Sequence, residues 1–174
     1  MYVPALVGVV ASSVLAAPGG AAGAHRTPGP RLKKIFANAS PSSGLPASFI
    51  AAVAYLESFG DAKAQSSSGP KGIMQIAAGT ARSMGLRITY AKRYKTTTVR
   101  RKVKRKGKTV YRNVKRRVPY TVLVRDERMI PEKAVPPAAN YLARLESKYG
   151  GRDWAVFAYH CGEGCTSWVR GIVE

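Results

Sequence analysis

Residues 54–75, AYLESFGDAKAQSSSGPKGIMQ, carry an apolar run into a lone carboxylate, Glu57, then through a Gly/Ser-rich stretch to a Met-Gln pair. Upstream, Phe49, Ile50, Val53, Ala54 and Leu56 recur at three- and four-residue steps. That spacing predicts a helix opening after Ser43-Gly44-Leu45-Pro46 and ending near Ser58, with Gly60 behind it. Glu57 follows Val53 by four positions and Ala54 by three, which sets it on the stripe that faces the core. A carboxylate in that place has to be partnered, protonated or put to work.

Acids are scarce in the surrounding chain. The 174 residues carry 29 Lys and Arg against nine Asp and Glu, a formal charge of +20. The excess is local: without the basic stretch 87–125 the balance falls to about +4. No Asp or Glu lies between Asp61 and Asp126. With 45% hydrophobic residues there is enough for one core. Residues 87–125 therefore read as a basic insertion in an otherwise ordinary domain, whose field attracts polyanions.

At the N-terminus, Val3–Ala17 is apolar, too short to span a bilayer, and followed by glycines and the small triplet Ala22-Gly23-Ala24. Residues 1–24 are expected to be a signal peptide for export, although no Lys or Arg precedes the apolar run. Residues 25–44 read as a linker and a short helix, Arg31–Ala39, and 45–174 as the main domain. Further helices are expected over Ala78–Met84, over Pro131–Tyr149 with interruption at Pro136 and Pro137, over Trp154–Tyr159 capped by Asp153, and from about Ser167. In Thr96–Val124, Lys106-Gly107-Lys108 offers a turn and Pro119 a break. The valines at 110, 114 and 118 fit a helix as well as one strand face, but β-branching and Gly107 favour a β-hairpin with a third strand at Tyr120–Val124. Cys161 and Cys165 enclose only Gly-Glu-Gly, and in an oxidising compartment they form a disulfide. Neighbouring His160 completes no common zinc spacing, so no metal is expected.

Four blocks in order carry a family likeness. These are Glu57-Ser58 at a helix end, Ser66-Ser67-Ser68-Gly69-Pro70-Lys71-Gly72-Ile73-Met74-Gln75, Thr80-Ala81, and Ala158-Tyr159-His160-Cys161-Gly162-Glu163-Gly164. Asp126-x-Arg128 is a fifth, weaker echo. The set resembles the lytic transglycosylase SLT domain family. That resemblance implies a lysozyme-like fold, α+β and mainly α, with the basic hairpin inserted. It implies a secreted enzyme of the periplasm or cell envelope that needs no cofactor. It would cut the MurNAc-GlcNAc β-1,4 bond of peptidoglycan glycan strands to a 1,6-anhydro product, with Glu57 as catalytic acid and then base; the alternatives are a hydrolytic muramidase and a non-catalytic wall- or polyanion-binding module. Ser66, Gly69, Gly72, Met74, Gln75 and Tyr159 would contact substrate or brace Glu57. His160 stands where the family has Asn, Cys161 where it has Ala, and Pro70 where Ala is common. For the insertion the expected partners are anionic wall polymers or a membrane surface. Nucleic acid is not expected, since no base-reading motif is present.

Overall fold

The computed structural model describes residues 27–173. The expected signal peptide lies outside them. Six helices and one two-stranded antiparallel ribbon follow in the order α1 (Pro30–Ser43), α2 (Ala47–Ser58), α3 (Ala78–Ser83), β1 (Ile88–Arg105), β2 (Lys108–Asp126), α4 (Pro131–Tyr149), α5 (Arg152–Cys161) and α6 (Glu163–Val173). A single 3₁₀ turn, Glu127–Met129, joins β2 to α4. The fold is mainly α, as read from the residues and from the family likeness.

The core forms where α1, α2 and α4 meet the 64–77 loop. Ile50 and Val53 of α2, Ile73 and Met74 of the loop, and Val135 and Leu142 of α4 are buried together. α1 extends beyond the Arg31–Ala39 expected, because Pro30 fits the first helical turn and Ile35, Phe36 and Ala39 bury one face. Gly44, at φ 70°, ends it in a left-handed cap.

Five further expectations change. Asp153 is not a cap: α5 starts at Arg152 behind Gly151 with no side-chain cap, and Asp153 lies in its first turn. Leu56 is 71% exposed, since its direction on α2 lies well round from the Val53–Glu57 stripe. α4 runs unbroken from Pro131 through Pro136 and Pro137. Those prolines remove two backbone donors, but Ala134, Val135, Ala138, Ala139, Leu142 and Leu145 are all fully buried, and packing overrides propensity. Tyr120–Val124 is not a third strand but the second half of β2, which passes straight through Pro119 opposite Tyr94. Each strand of a two-stranded ribbon keeps one open edge, where a missing N–H costs little. α6 begins at Glu163, four residues ahead of Ser167 and inside the turn that the Cys161–Cys165 disulfide closes.

Candidate active site

Glu57 sits in the last turn of α2 with its side chain 12% exposed. Ser58 beside it is buried and donates its hydroxyl to Ala54 O (3.1 Å) and Ile73 O (2.8 Å), tying the end of α2 to the 64–77 loop. Phe59 then turns the chain at φ 54°, its N–H on Tyr55 O. Across from α2, α5 brings His160 Nδ1 to 3.3 Å from Glu57 Oε1. Burial holds the Glu57 carboxyl above its ordinary range, and the His160 contact pulls only partly against it.

Tyr159, the residue before His160, donates its hydroxyl to Met74 O at 2.8 Å. Burial pushes that phenol well up, and the Glu57 charge adds to the rise. The tyrosine therefore stays a neutral donor. It locks α5 onto the loop next to the carboxyl. Its ring lies 5.8 Å from that of Tyr141 on α4, whose hydroxyl donates to Glu163 Oε1 (3.2 Å).

The loop carrying the second block is built on its own backbone. Lys71 and Ile76 exchange both N–H···O bonds, and Gly72 N–H reaches Ala64 O at 2.8 Å. Gln75, at φ 43°, donates its amide to Gly72 O at 2.9 Å and so braces the loop. Ser66 meets Ser68 hydroxyl to hydroxyl at 2.8 Å on the exposed side. Gly69, at φ 109°, has open space beyond its Cα. Gly72 does not: a Cβ there would stand 1.8 Å from the Arg128 carbonyl, so its lack of a side chain serves chain packing rather than approach to a ligand. The Met74 side chain is fully buried and reaches no substrate surface; its contribution to the site is the carbonyl that Tyr159 holds.

The clamp on this loop was the weakest of the sequence signals. Arg128, 3% exposed, pairs with Asp126 through Nε (2.8 Å) and Nη2 (2.6 Å). Its Nη1 donates to Gly69 O (3.2 Å) and Ile76 O (3.0 Å), gripping both ends of the Gly/Ser turn. The Arg128 guanidinium hydrogen bond holds the Asp126 carboxyl below its usual range. Glu127, between them, ties Arg87 (3.3 Å) to Arg125 (3.0 Å) at the root of the ribbon. The clamp's signal in the sequence was the weak family echo Asp126-x-Arg128, which ends a long stretch without acid.

A groove of about 190 Å³ runs between Pro70, Gln75 and Ala77 on the loop side and Tyr141, Tyr159 and His160 on the helical side. His160 links this groove to Glu57. A larger hollow, about 330 Å³, opens where the start of α1 meets the end of α2, but of the acids only Asp61 lines it. Among the described residues no cluster of His, Cys, Asp and Glu is set to hold a metal ion.

The site's blocks match the family described as Transglycosylase SLT domain, over residues 34–105 and 107–171. The chain belongs to that family. The match takes in the core, the loop, the ribbon and the α5–α6 turn. The SLT domain is also similar, at 29% identity over 131 residues, to the protein named Peptidoglycan transglycosylase gp16 of Escherichia phage T7. That stretch is 75% of this chain but 8% of the phage protein, so the SLT domain spans a small part of its relative. No solved structure matches the chain. Among the described residues no helix is long and apolar enough to cross a membrane.

Proposed function

We propose that this SLT domain is a peptidoglycan lytic transglycosylase in which Glu57 alone serves as acid and base. Glycosidic cleavage needs a proton on the leaving oxygen as positive charge develops at the anomeric carbon. The observation that carries the reading is a carboxyl whose pKa burial raises, at a helix end and joined through His160 to a groove. In the proposed reaction Glu57 gives its proton to the bridging oxygen and the bond between MurNAc C1 and that oxygen breaks. The muramoyl 6-hydroxyl then closes on C1, and its proton returns to Glu57. The product carries a 1,6-anhydro ring, and no water is consumed.

The other acids near the site support this over hydrolysis. Asp61 is exposed and accepts the Lys63 N–H in its own turn (2.8 Å). Glu163 is engaged by Lys148 and Tyr141, and the Lys148 ammonium holds its carboxyl below the usual range. Neither stands ready to activate a water. Gln75, beside Pro70 and Ala77, lines the groove in which a glycan strand would lie, with Tyr159 on the wall opposite and Ser66 and Gly69 further along the same loop. Acting on peptidoglycan places the domain on the wall side of a cell envelope, in keeping with an exported chain.

The test is a digest of purified peptidoglycan with the products weighed. Anhydro-ended fragments, lighter by one water than hydrolysed ones, are expected. Hydrated ends instead would make the enzyme a muramidase. If Glu57→Gln clears wall as fast as the parent, catalysis does not run through this carboxyl.

A further inference from the structure

The ribbon is unexplained by glycan cleavage. Its strands of 18 and 19 residues extend about 60 Å at 3.3 Å per residue. Between Ile88 and Arg125 it holds no acid, and between Tyr90 and Arg125 it contributes nothing to the core. Such a two-stranded ribbon is marginal in water. This one also sets Arg101 directly opposite Arg112 and Arg105 opposite Lys108, pairs that repel. The sequence thus carries a like-charge cost that an anionic partner relieves.

Register decides what kind of surface. Ala91↔Val122, Lys95↔Val118, Val99↔Val114 and Val103↔Val110 all fall on one face, spaced four residues apart. Between them on that face stand Arg93, Arg116, Arg101 and Arg112. Val110 and Val114 are more than a third exposed. The opposite face carries Tyr90, Tyr94 and Tyr111, all about half exposed, and two of those rings stack one side against the ribbon's own cations. Arg117 lies 4.4 Å from the Tyr94 centroid and Arg100 4.7 Å from that of Tyr111. The first face is thus a half-exposed valine stripe, joined by Tyr120 opposite Arg93 and edged with guanidinium and ammonium groups. A soluble polyanion matches the charge but leaves the valines in water. An anionic lipid bilayer matches both, taking phosphates at the rim and valines at the acyl boundary.

We propose that the ribbon is a membrane-surface arm that lies by its valine face on a bilayer rich in anionic lipid. The inference stands apart from the transglycosylase reading, because vesicle binding is measured without catalysis. The experiment uses the full chain with vesicles of phosphatidylglycerol and phosphatidylcholine, vesicles of phosphatidylcholine alone, and inorganic polyphosphate.

The parent should bind the anionic vesicles and not the neutral ones. Replacing Val99, Val103, Val110 and Val114 by Thr keeps β-branching and charge. This variant should bind anionic vesicles about tenfold more weakly while its affinity for polyphosphate stays unchanged. The pair Arg101→Gln and Arg112→Gln removes a repulsion, so the ribbon should not be weakened, yet vesicle binding should fall. Equal vesicle binding by parent and threonine variant would overturn the proposal in favour of a soluble polyanion. So would tighter binding to polyphosphate than to anionic vesicles, or indifference to lipid charge. Release of soluble glycan fragments, measured alongside, should be the same for all three proteins.

Discussion

At Glu57 two effects act on one carboxyl, and burial outweighs the imidazole. With its value raised above that of the unfolded chain, Glu57 favours the fold while protonated, and that contribution is lost as pH rises through the folded value. Glu57→Gln removes this loss together with the proposed proton donor. Wall cleavage should drop by at least 10² to 10⁴, roughly the worth of general-acid help, while the melting temperature at pH 7 should not fall. Calorimetry beside a turbidity assay checks both halves. His160 pulls the same carboxyl down, both as hydrogen-bond partner and by its charge when protonated. Replacing it with Asn, the residue usual in the family, should let Glu57 keep its proton to higher pH. The alkaline limb of the pH profile of kcat/KM should then move upward, and a limb that stays or moves down would remove His160 from this role. Much at this scale was legible in the residues. The three- and four-residue spacing placed Glu57 on the inward stripe, yet the same count took in Leu56, because a step of three turns a side chain less than a full circuit. Which atom Tyr159 holds was not legible, since it depends on where a distant loop carbonyl points.

Among the elements, the 64–77 loop is the one whose shape depends on a partner far along the chain. Its composition announced a turn, but Arg128, which grips it at Gly69 O and Ile76 O, lies beyond the whole ribbon. Local sequence has no means of showing such a closure. The prolines of α4 mislead for a related reason: the burial that keeps the helix whole comes from α1 and α5. Removing the carboxylate from a buried pair strands the other charge. Asp126→Ala should therefore cost about 3 kcal/mol, read by denaturant unfolding, and loosen the loop enough to lower activity with Glu57 intact. Asp126 titrates below its unfolded value, so its contribution is present above about pH 4 and is lost as pH falls through the folded value. The Asp126→Ala variant should accordingly lose less stability than the parent on acidification over that range. Gly72→Ala tests the same joint sterically. With φ at 79° and a backbone oxygen in the way, it should destabilise by more than about 1 kcal/mol and shift the loop, whereas Gly69→Ala meets no atom and should be milder.

In the whole molecule, catalytic core and ribbon are separable, and the charge distribution already divided them: 87–125 stood out by sign alone. What composition left open was the length of the arm and its faces, since helix and strand both satisfied the valine spacing until the register was known. The ribbon's root is built for the core, because Glu127 holds Arg87 and Arg125 together and the Asp126–Arg128 pair turns inward to the loop. An extra residue in β2, at Val124, bends the ribbon just above that root, where the register slips between Thr89 and Tyr90. Cutting beyond the bulge should spare everything below it. Deleting residues 93–120 and joining the stumps by a two-residue Asn-Gly turn keeps Tyr90 paired with Leu123 and Ala91 with Val122. This shortened chain should fold with an unchanged unfolding midpoint, because the removed segment buries no core residue. It should cleave soluble glycan fragments at the parent's rate. On anionic vesicles carrying tethered glycan, the parent's advantage should be large at low salt and shrink as the Debye length falls from about 30 Å at 0.01 M to about 8 Å at 0.15 M. A lower rate on soluble fragments would mean instead that the arm reaches back into the groove, and that the two halves of the molecule work as one.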